Sequence, residues 1–336
     1  MTFQRSLLAK LEESSDNIVQ SKPAQGALDF ISAGVGCFAL TLIHSVGIVT
    51  SLLKRGYFSE DELKNYKKFK NLLAIRAALL SLCLCNILTK KEEKYFLTHL
   101  GTQLVDHIGL VTMVFDGYGK LMANGVPIAF NKIKKPEKYL KGSAIALSSI
   151  QFGEKIDPVM TEVIKKLRLK GTICDVGCGS ADRLLRLCKE TSLPGLGLDS
   201  CQEAVAIARK AAKVHQNINI EYGNALNLEG IWEDVQLLMQ CFMTHDIFPD
   251  DQFIESLSSY RKNFPNLKYF LIIDIVAPED SFASHMPAYD YVHGLLGIET
   301  RKHERFTSLF LKAGYKIVEE VSIDMPNTYL WVLKPA

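Results

Sequence analysis

The stretch GTICDVGCGSADRLLRL, residues 171–187, constrains the fold more tightly than any other part of the chain. A short apolar run ends in Asp175, Gly177 and Gly179 turn the chain, and a helical pattern starts at Ser180, Ala181 and Asp182. Strand, glycine turn and helix in that order build the corner of an open α/β sheet where ligands bind, beyond the carboxyl ends of the strands. Glycine permits the turn and lets backbone approach a ligand closely. A nicotinamide fingerprint, G-x-G-x-x-G, would need a glycine at 182, where Asp182 stands, and an acid at a helix N-terminus repels a pyrophosphate. A phosphate-binding P-loop is excluded because no Gly-Lys-Ser/Thr follows.

The flanking pattern supports that corner. After Lys170, short apolar runs alternate with helical segments: TICDVG, GLGLDS, INIEYG, VQLLMQCF and YFLIIDIV, then a close pair, YKIVEEVSI and NTYLWVLKP. Such alternation predicts a mostly parallel sheet covered by helices on both faces, with an antiparallel hairpin at one edge. The first 165 residues or so read as mostly helical, with NLLAIRAALLSLCLCNIL (71–88) the strongest example. A charged turn, KKEEK, and a short strand in YFLTHLGTQL follow it, and the basic NKIKKPEKYLKG (131–142) reads as a solvated connection.

Asp199 closes the second run, twenty residues after Gly179. An acid at that strand tip suits a ribose diol as a bidentate acceptor. Two acids without a phosphate motif point to a nucleoside ligand that carries no phosphate. S-adenosylmethionine, with its ammonium, sulfonium and ribose diol, fits.

DVGCGSA resembles the first motif of class I S-adenosylmethionine-dependent methyltransferases, D/E-x-G-x-G-x-G, with Ala181 in the last glycine's place. GLGLDS resembles the ribose-binding strand of that family, EYGNALNL its adenine-contact segment with Asn224 where an acid is common, and YFLIIDIVAPED its fifth strand. The resemblance implies a Rossmann-like α/β domain with a mostly parallel seven-stranded sheet. It assigns the cofactor S-adenosylmethionine to Asp175, Gly177, Cys178, Gly179, Asp199, Ser200, Asn224, Ala225 and Gln240. The helical first part, with its Y-x-L-T-x-x-G wing, resembles the N-terminal module of two-domain small-molecule O-methyltransferases. That implies a winged-helix-like dimerisation domain over 1–145, a catalytic domain over 146–336, a homodimer, and a small-molecule acceptor of secondary metabolism.

The fourth run ends in CFMTHDIFPDD, which places His245 and Asp246 where an acceptor approaches. His245 can serve as general base for a hydroxyl acceptor, as a metal ligand beside Asp246, or as a structural histidine. PAYDYVHGLLG adds His293 from a segment beyond the fifth strand, and His–Asp plus a distant His is a two-histidine, one-carboxylate set. This resembles the α-keto acid C-methyltransferase branch, which implies His245, Asp246 and His293 as ligands of a divalent or trivalent metal such as iron or zinc. His285 and His303 compete for the third position; Asp274 reads as a helper acid or a cap, and Tyr289 and Tyr291 as pocket wall or packing. Metal-assisted C-methylation of an α-keto acid, O-methylation with His245 as base, and a catalytically silent cofactor-binding scaffold all remain open, in that order.

Composition narrows the partners. A net charge of +2 with interspersed signs gives no footprint for nucleic acid. Eight scattered cysteines lack CxxC pairs or zinc spacing, and Ala181 interrupts a C-x3-C-x2-C cluster, so reduced thiols in a cytoplasmic protein are expected. The N-terminus shows no secretory apolar core. The uncharged 31–53 is long enough to span a bilayer, but its Ser, Thr, His and Gly residues favour a buried core or interface helix, and no membrane span is expected.

Overall fold

The computed structural model describes residues 25–65, 70–148, 150–278, 287–325 and 327–336. The chain divides into two compact units, Met1–Asp106 and His107–Ala336.

The first unit carries α1 (Gln25–Ser45), α2 (Ile48–Arg55), α3 (Glu60–Asn65), α4 (Leu72–Leu84) and α5 (His99–Asp106). A three-stranded antiparallel sheet, β1 (Phe58–Ser59), β2 (Leu88–Lys91) and β3 (Lys94–Leu97), runs in the order β1-β3-β2. The KKEEK turn thus joins β2 to β3. Asn71 starts α4 by accepting the Ala74 N–H at 3.2 Å, which satisfies one orphan donor of the first turn. Leu40, Ile43, Val49, Leu52, Phe58, Leu79 and Leu82 form the core. The uncharged 31–53 stretch is two helices, parted at Gly47 with φ of 87°. Among the described residues, α1 alone is long and apolar enough to cross a membrane, with mean hydropathy 1.8 within Gly26–Ser45 and 28% of that window buried.

The second unit opens with α6 (Ile108–Thr112), a π-helical turn (Met113–Gly117), α7 (Gly119–Ala123), α8 (Gly125–Ala129), a 3-10 turn (Pro136–Tyr139) and α9 (Gly142–Ser148). The sequence placed the domain boundary at 145/146, whereas the compact units part at 106/107. The cause is packing: Tyr118, Leu121, Met122 and Tyr139 close a cluster with Val292 and Leu295, so this helical segment covers the later part of its own unit.

From there the chain alternates as expected: α10 (Ile150–Lys166), β4 (Thr172–Val176), α11 (Asp182–Thr191), β5 (Gly195–Asp199), α12 (Gln202–Ala212), β6 (Ile218–Tyr222), β7 (Val235–Cys241), α13 (Asp250–Asn263), β8 (Tyr269–Ile275), α14 (Pro287–Leu296), α15 (His303–Lys312), β9 (Tyr315–Ser322) and β10 (Thr328–Pro335). The sheet order is β6-β5-β4-β7-β8-β10-β9. The first five are parallel, and β10 runs antiparallel to both β8 and β9. Central strands are buried on both faces. Ile173, Leu237, Leu271 and Val332 pack with Ile156, Met160, Leu184 and Val205, while Val176, Leu238, Phe270 and Trp331 pack with Phe253, Leu257, Phe306 and Phe310 on the other side. Each such side chain contributes about 1.5–3 kcal/mol on leaving water. Strand order reverses at β4, so a crevice opens at the carboxyl ends of β4 and β7.

Candidate active site

The glycine loop builds one wall of that crevice. Gly177 has φ of 84°, and a Cβ there would meet Met243 Cγ at 2.9 Å, so both its backbone and its neighbour demand glycine. Gly177 and Cys178 donate their N–H groups to the Leu198 carbonyl at 2.8 and 3.1 Å, tying the loop to β5. Ala181 takes φ of 60° and is fully buried, so alanine occupies a left-handed position that glycine would occupy without strain. Asp199 accepts the Gly179 N–H through Oδ2 and the Cys201 N–H through Oδ1, both at 2.8 Å; each oxygen retains a second lone pair for a hydroxyl. Ser200 follows it, exposed at the strand tip.

Asp175 is 2% exposed, and its Oδ1 has no hydrogen-bond partner among the described residues. Burial pushes its carboxyl up to about 7 against the pull of Arg183. A buried carboxylate oxygen left without a donor is costly unless a cationic ligand completes it.

Asn224 is exposed, and its Oδ1 accepts the Leu226 N–H at 3.0 Å, so it shapes its own turn. Gln240 stands one residue before the carboxyl end of β7. It is fully buried, donates to the Tyr260 hydroxyl at 2.9 Å and accepts from the Thr244 hydroxyl at 3.3 Å. Tyr260 in turn donates to the Ala225 carbonyl at 2.8 Å, so Gln240 reaches the adenine-side loop only through Tyr260.

The other wall follows β7. Phe242 has φ of 56°, a strained value for a bulky residue, and turns the chain out of the strand. The 3-10 turn Thr244–Asp246 then presents His245 and Asp246. Asp274, fully buried at the end of β8, accepts the His245 backbone N–H at 2.8 Å, the Ile275 N–H at 2.8 Å and the His245 Nδ1–H. α14 brings in His293, whose Nδ1–H donates to the Tyr289 carbonyl at 2.6 Å. With both Nδ1 atoms acting as donors, each Nε2 carries a lone pair whenever its imidazole is neutral. Asp246 Oδ1 stands 3.6 Å from His245 Nε2 and 3.5 Å from His293 Nε2. All three ligand atoms lie within 4.8 Å of one another. Burial alone would lower the His245 pKa, but the Asp274 and Asp246 carboxylates outweigh it and hold it up at about 9. Desolvation on its protein side disfavours the charge of the half-exposed Asp246, yet the His245 and His293 imidazoles hold its carboxyl below the usual range.

No family model matches the chain. It is 33% identical over 319 residues to the indolepyruvate C-methyltransferase of Streptomyces griseus, an alignment spanning 93% of this chain and 95% of that protein. The chain belongs to the S-adenosylmethionine-dependent small-molecule methyltransferases. Solved structures agree on the fold. The mitomycin 7-O-methyltransferase MmcR matches 99% of this methyltransferase with a TM-score of 0.65 at 15% identity, covering 100% of its own chain. The S-adenosylhomocysteine-bound form of CalO1, a methyltransferase in calicheamicin biosynthesis, matches 94% with a TM-score of 0.58 at 20% identity, covering 99% of its own chain. The cofactor of this methyltransferase is S-adenosylmethionine, and its acceptor is a small molecule.

The methyltransferase's own residues fit both groups. The unpartnered Asp175 Oδ1 suits a cationic cofactor. The N, N, O donor set of His245, His293 and Asp246 suits a first-row metal, with both outer ring nitrogens fixed by acceptors. The Asp246 contacts, at 3.6 and 3.5 Å, already lie close to the roughly 3.4 Å that separates ligands about 2.1 Å from a tetrahedral ion.

Of the competing histidines, His285 lies outside the described residues. His303 starts α15 beside Glu320, Tyr329 and Trp331, half-buried. Two residues of the site escaped sequence reasoning. Arg301, fully buried, donates to the carbonyls of His245 (3.3 Å) and Ile247 (2.6 Å) and to Asp250 (2.9 Å), bracing the 3-10 turn. Tyr118 reaches the site from the short helices; burial and the nearby Asp246 charge push its phenol pKa up. Neither position carries a sequence signal.

Proposed function

We propose that this methyltransferase transfers a methyl group to the β-carbon of an α-keto acid with an aromatic side chain, using a metal held by His245, Asp246 and His293. The observation that carries the reading is the convergence of these three donors, with each Nδ1 engaged by an acceptor so that each Nε2 faces Asp246. The indolepyruvate C-methyltransferase relative supports the substrate class. The cofactor supplies an electrophilic methyl group on a sulfonium. An iron or zinc ion would supply Lewis acidity toward the keto and carboxylate oxygens of the acceptor, which acidifies the neighbouring β-carbon.

The chain's contribution is alignment and dryness. The glycine loop with Asp175, Cys178 and Asp199 fixes the donor on one wall, and the His245 turn fixes the acceptor on the other, so that donor sulfur, methyl and carbon can be collinear. Asp274 and the Tyr289 carbonyl lock the two imidazole tautomers. Tyr289, whose ring lies 5.3 Å from that of His245 and 4.2 Å from that of His293, screens water from the reacting carbon.

One observation favours a second reading. The His245–Asp274 pair is also how a general base is oriented, and it would serve O-methylation of a hydroxyl. Metal content of the purified protein, followed by turnover with an arylpyruvate and with phenols in the presence and absence of a chelator, separates the two. A chelator-sensitive product methylated at the β-carbon supports the first. Donor binding without consumption on any acceptor would instead favour a silent scaffold.

We further propose a homodimer through the N-terminal unit, as a winged-helix-like module. Phe30, Ile31, Val35 and Phe38 of α1 are more than half exposed, an apolar surface that a second copy would cover. Light scattering of the full chain tests it.

A further inference from the structure

We infer that Arg183 and Asp175 act as a pair that reads the zwitterionic end of the methyl donor, Arg183 taking its α-carboxylate and Asp175 its α-ammonium. The inference rests on S-adenosylmethionine as the cofactor and adds a recognition residue outside the glycine motif.

Asp175 supplies the first half. Its buried Oδ1 is unpartnered among the described residues and needs a strong donor from a ligand. Arg183 supplies the second. It sits in the first turn of α11, and its Nε donates to Asp157 Oδ1 on α10 at 3.1 Å. Its guanidinium carbon stands 5.8 Å from the centroid of the Phe242 ring, at the end of β7. The side chain is 12% exposed, and the cation lies within electrostatic reach of Asp175. It therefore lies at the mouth between β4 and β7, where the crevice opens.

Asp157 does not exhaust this cation. It divides its two oxygens between Arg183 and Arg186, and the Arg183 contact uses Nε only. The other partner of Arg183 is the buried Cys241 thiol, a weak acceptor that a bidentate carboxylate would displace from the guanidinium. An anion alone would be repelled by Asp175 and a cation alone by Arg183; a ligand carrying both charges on one carbon satisfies both.

The test is calorimetric binding of S-adenosylhomocysteine and of its decarboxylated analogue, without acceptor, to the wild-type protein and to Arg183→Gln and Arg183→Lys. Wild type is expected to bind the decarboxylated ligand about tenfold or more weaklier than the intact one, as a charge-assisted hydrogen-bonded pair is lost. Arg183→Gln should weaken the intact ligand by a similar factor and leave the decarboxylated one within about twofold, so the ratio collapses toward one. Arg183→Lys, a point charge without the fork, should give an intermediate ratio. Equal losses on both ligands in Arg183→Gln, or a wild-type ratio near one, overturns the inference. The wild-type ratio and Arg183→Lys decide the matter if Arg183→Gln does not fold, as near-ultraviolet circular dichroism would show. Absence of any binding by wild type would overturn the cofactor assignment itself, a different result from binding without discrimination.

Discussion

Raising the pH from 7 to 9 should tighten metal binding at the His245 site while weakening the metal-free fold. Asp274 and Asp246 hold the His245 pKa at about 9 in the metal-free protein. At pH 7 an ion must therefore displace a proton from a histidine that is about 99% protonated. The apparent association constant should rise about tenfold per pH unit from 7 to 8 and level off above 9, a total of about 100-fold or ~2.7 kcal/mol. The folded-state pKa lies above the ordinary value of 6.5, so the proton stabilises the metal-free fold fully below about 6.5, and that contribution is lost as pH rises through about 9. The loss amounts to about 3 kcal/mol. Titration calorimetry of zinc, with a competing chelator and in buffers of different ionisation enthalpy, should report close to one proton released per ion at pH 7 and almost none at pH 10. Thermal melts should fall with pH for the metal-free protein and hold for the loaded one. Asp274→Asn sharpens the case. Asp274 accepts three N–H groups, and an asparagine in its place turns an NH2 toward at least one of them. The variant's proton release should move toward pH 6.5, and its metal affinity above pH 9 should drop about 10–100-fold. Metal affinity that does not change between pH 7 and 9, with no proton released, would refute the reasoning.

Three further outcomes are expected. His293→Ala should reduce bound metal to background and C-methylation by more than about 100-fold, since even outer-shell losses cost 10–100-fold, while His245-driven O-methylation would survive it; metal analysis and product mass spectrometry decide. Donor affinity should fall up to about tenfold per pH unit below pH 7, because Asp175, raised to about 7 in the free protein, must be ionised to meet an ammonium; Asp175→Asn should abolish that slope in a binding titration. Arg301→Met should destabilise the fold by about 2–4 kcal/mol in denaturant unfolding, because the buried carbonyls of His245 and Ile247 lose their donors while Asp250 keeps Arg305.

The sheet was legible because burial on both faces writes its strands as unbroken apolar runs. TICDVG, VQLLMQCF and YFLIIDIV are β4, β7 and β8. The positions of Asp175, Asp199, His245 and Asp246 were legible for the same reason, since each sits where such a run ends. His293 could be found because its helix follows β8. The boundary at 106/107 was not legible, because helical period says that 107–148 is helical and not which core Tyr118 and Leu121 help to bury. Nor could the sequence have told whether His245 and His293 offer lone pairs or protons to a ligand. That is decided at the opposite ring nitrogens, by a main-chain carbonyl at Tyr289 and by Asp274, an acid that a strand end could equally use as a cap. Main-chain acceptors leave no trace in residue identity, and the brace on the His245 carbonyl comes from Arg301, distant along the chain. Residue types therefore reveal which groups meet in this crevice, and the hydrogen bonds behind them decide the chemistry those groups can perform.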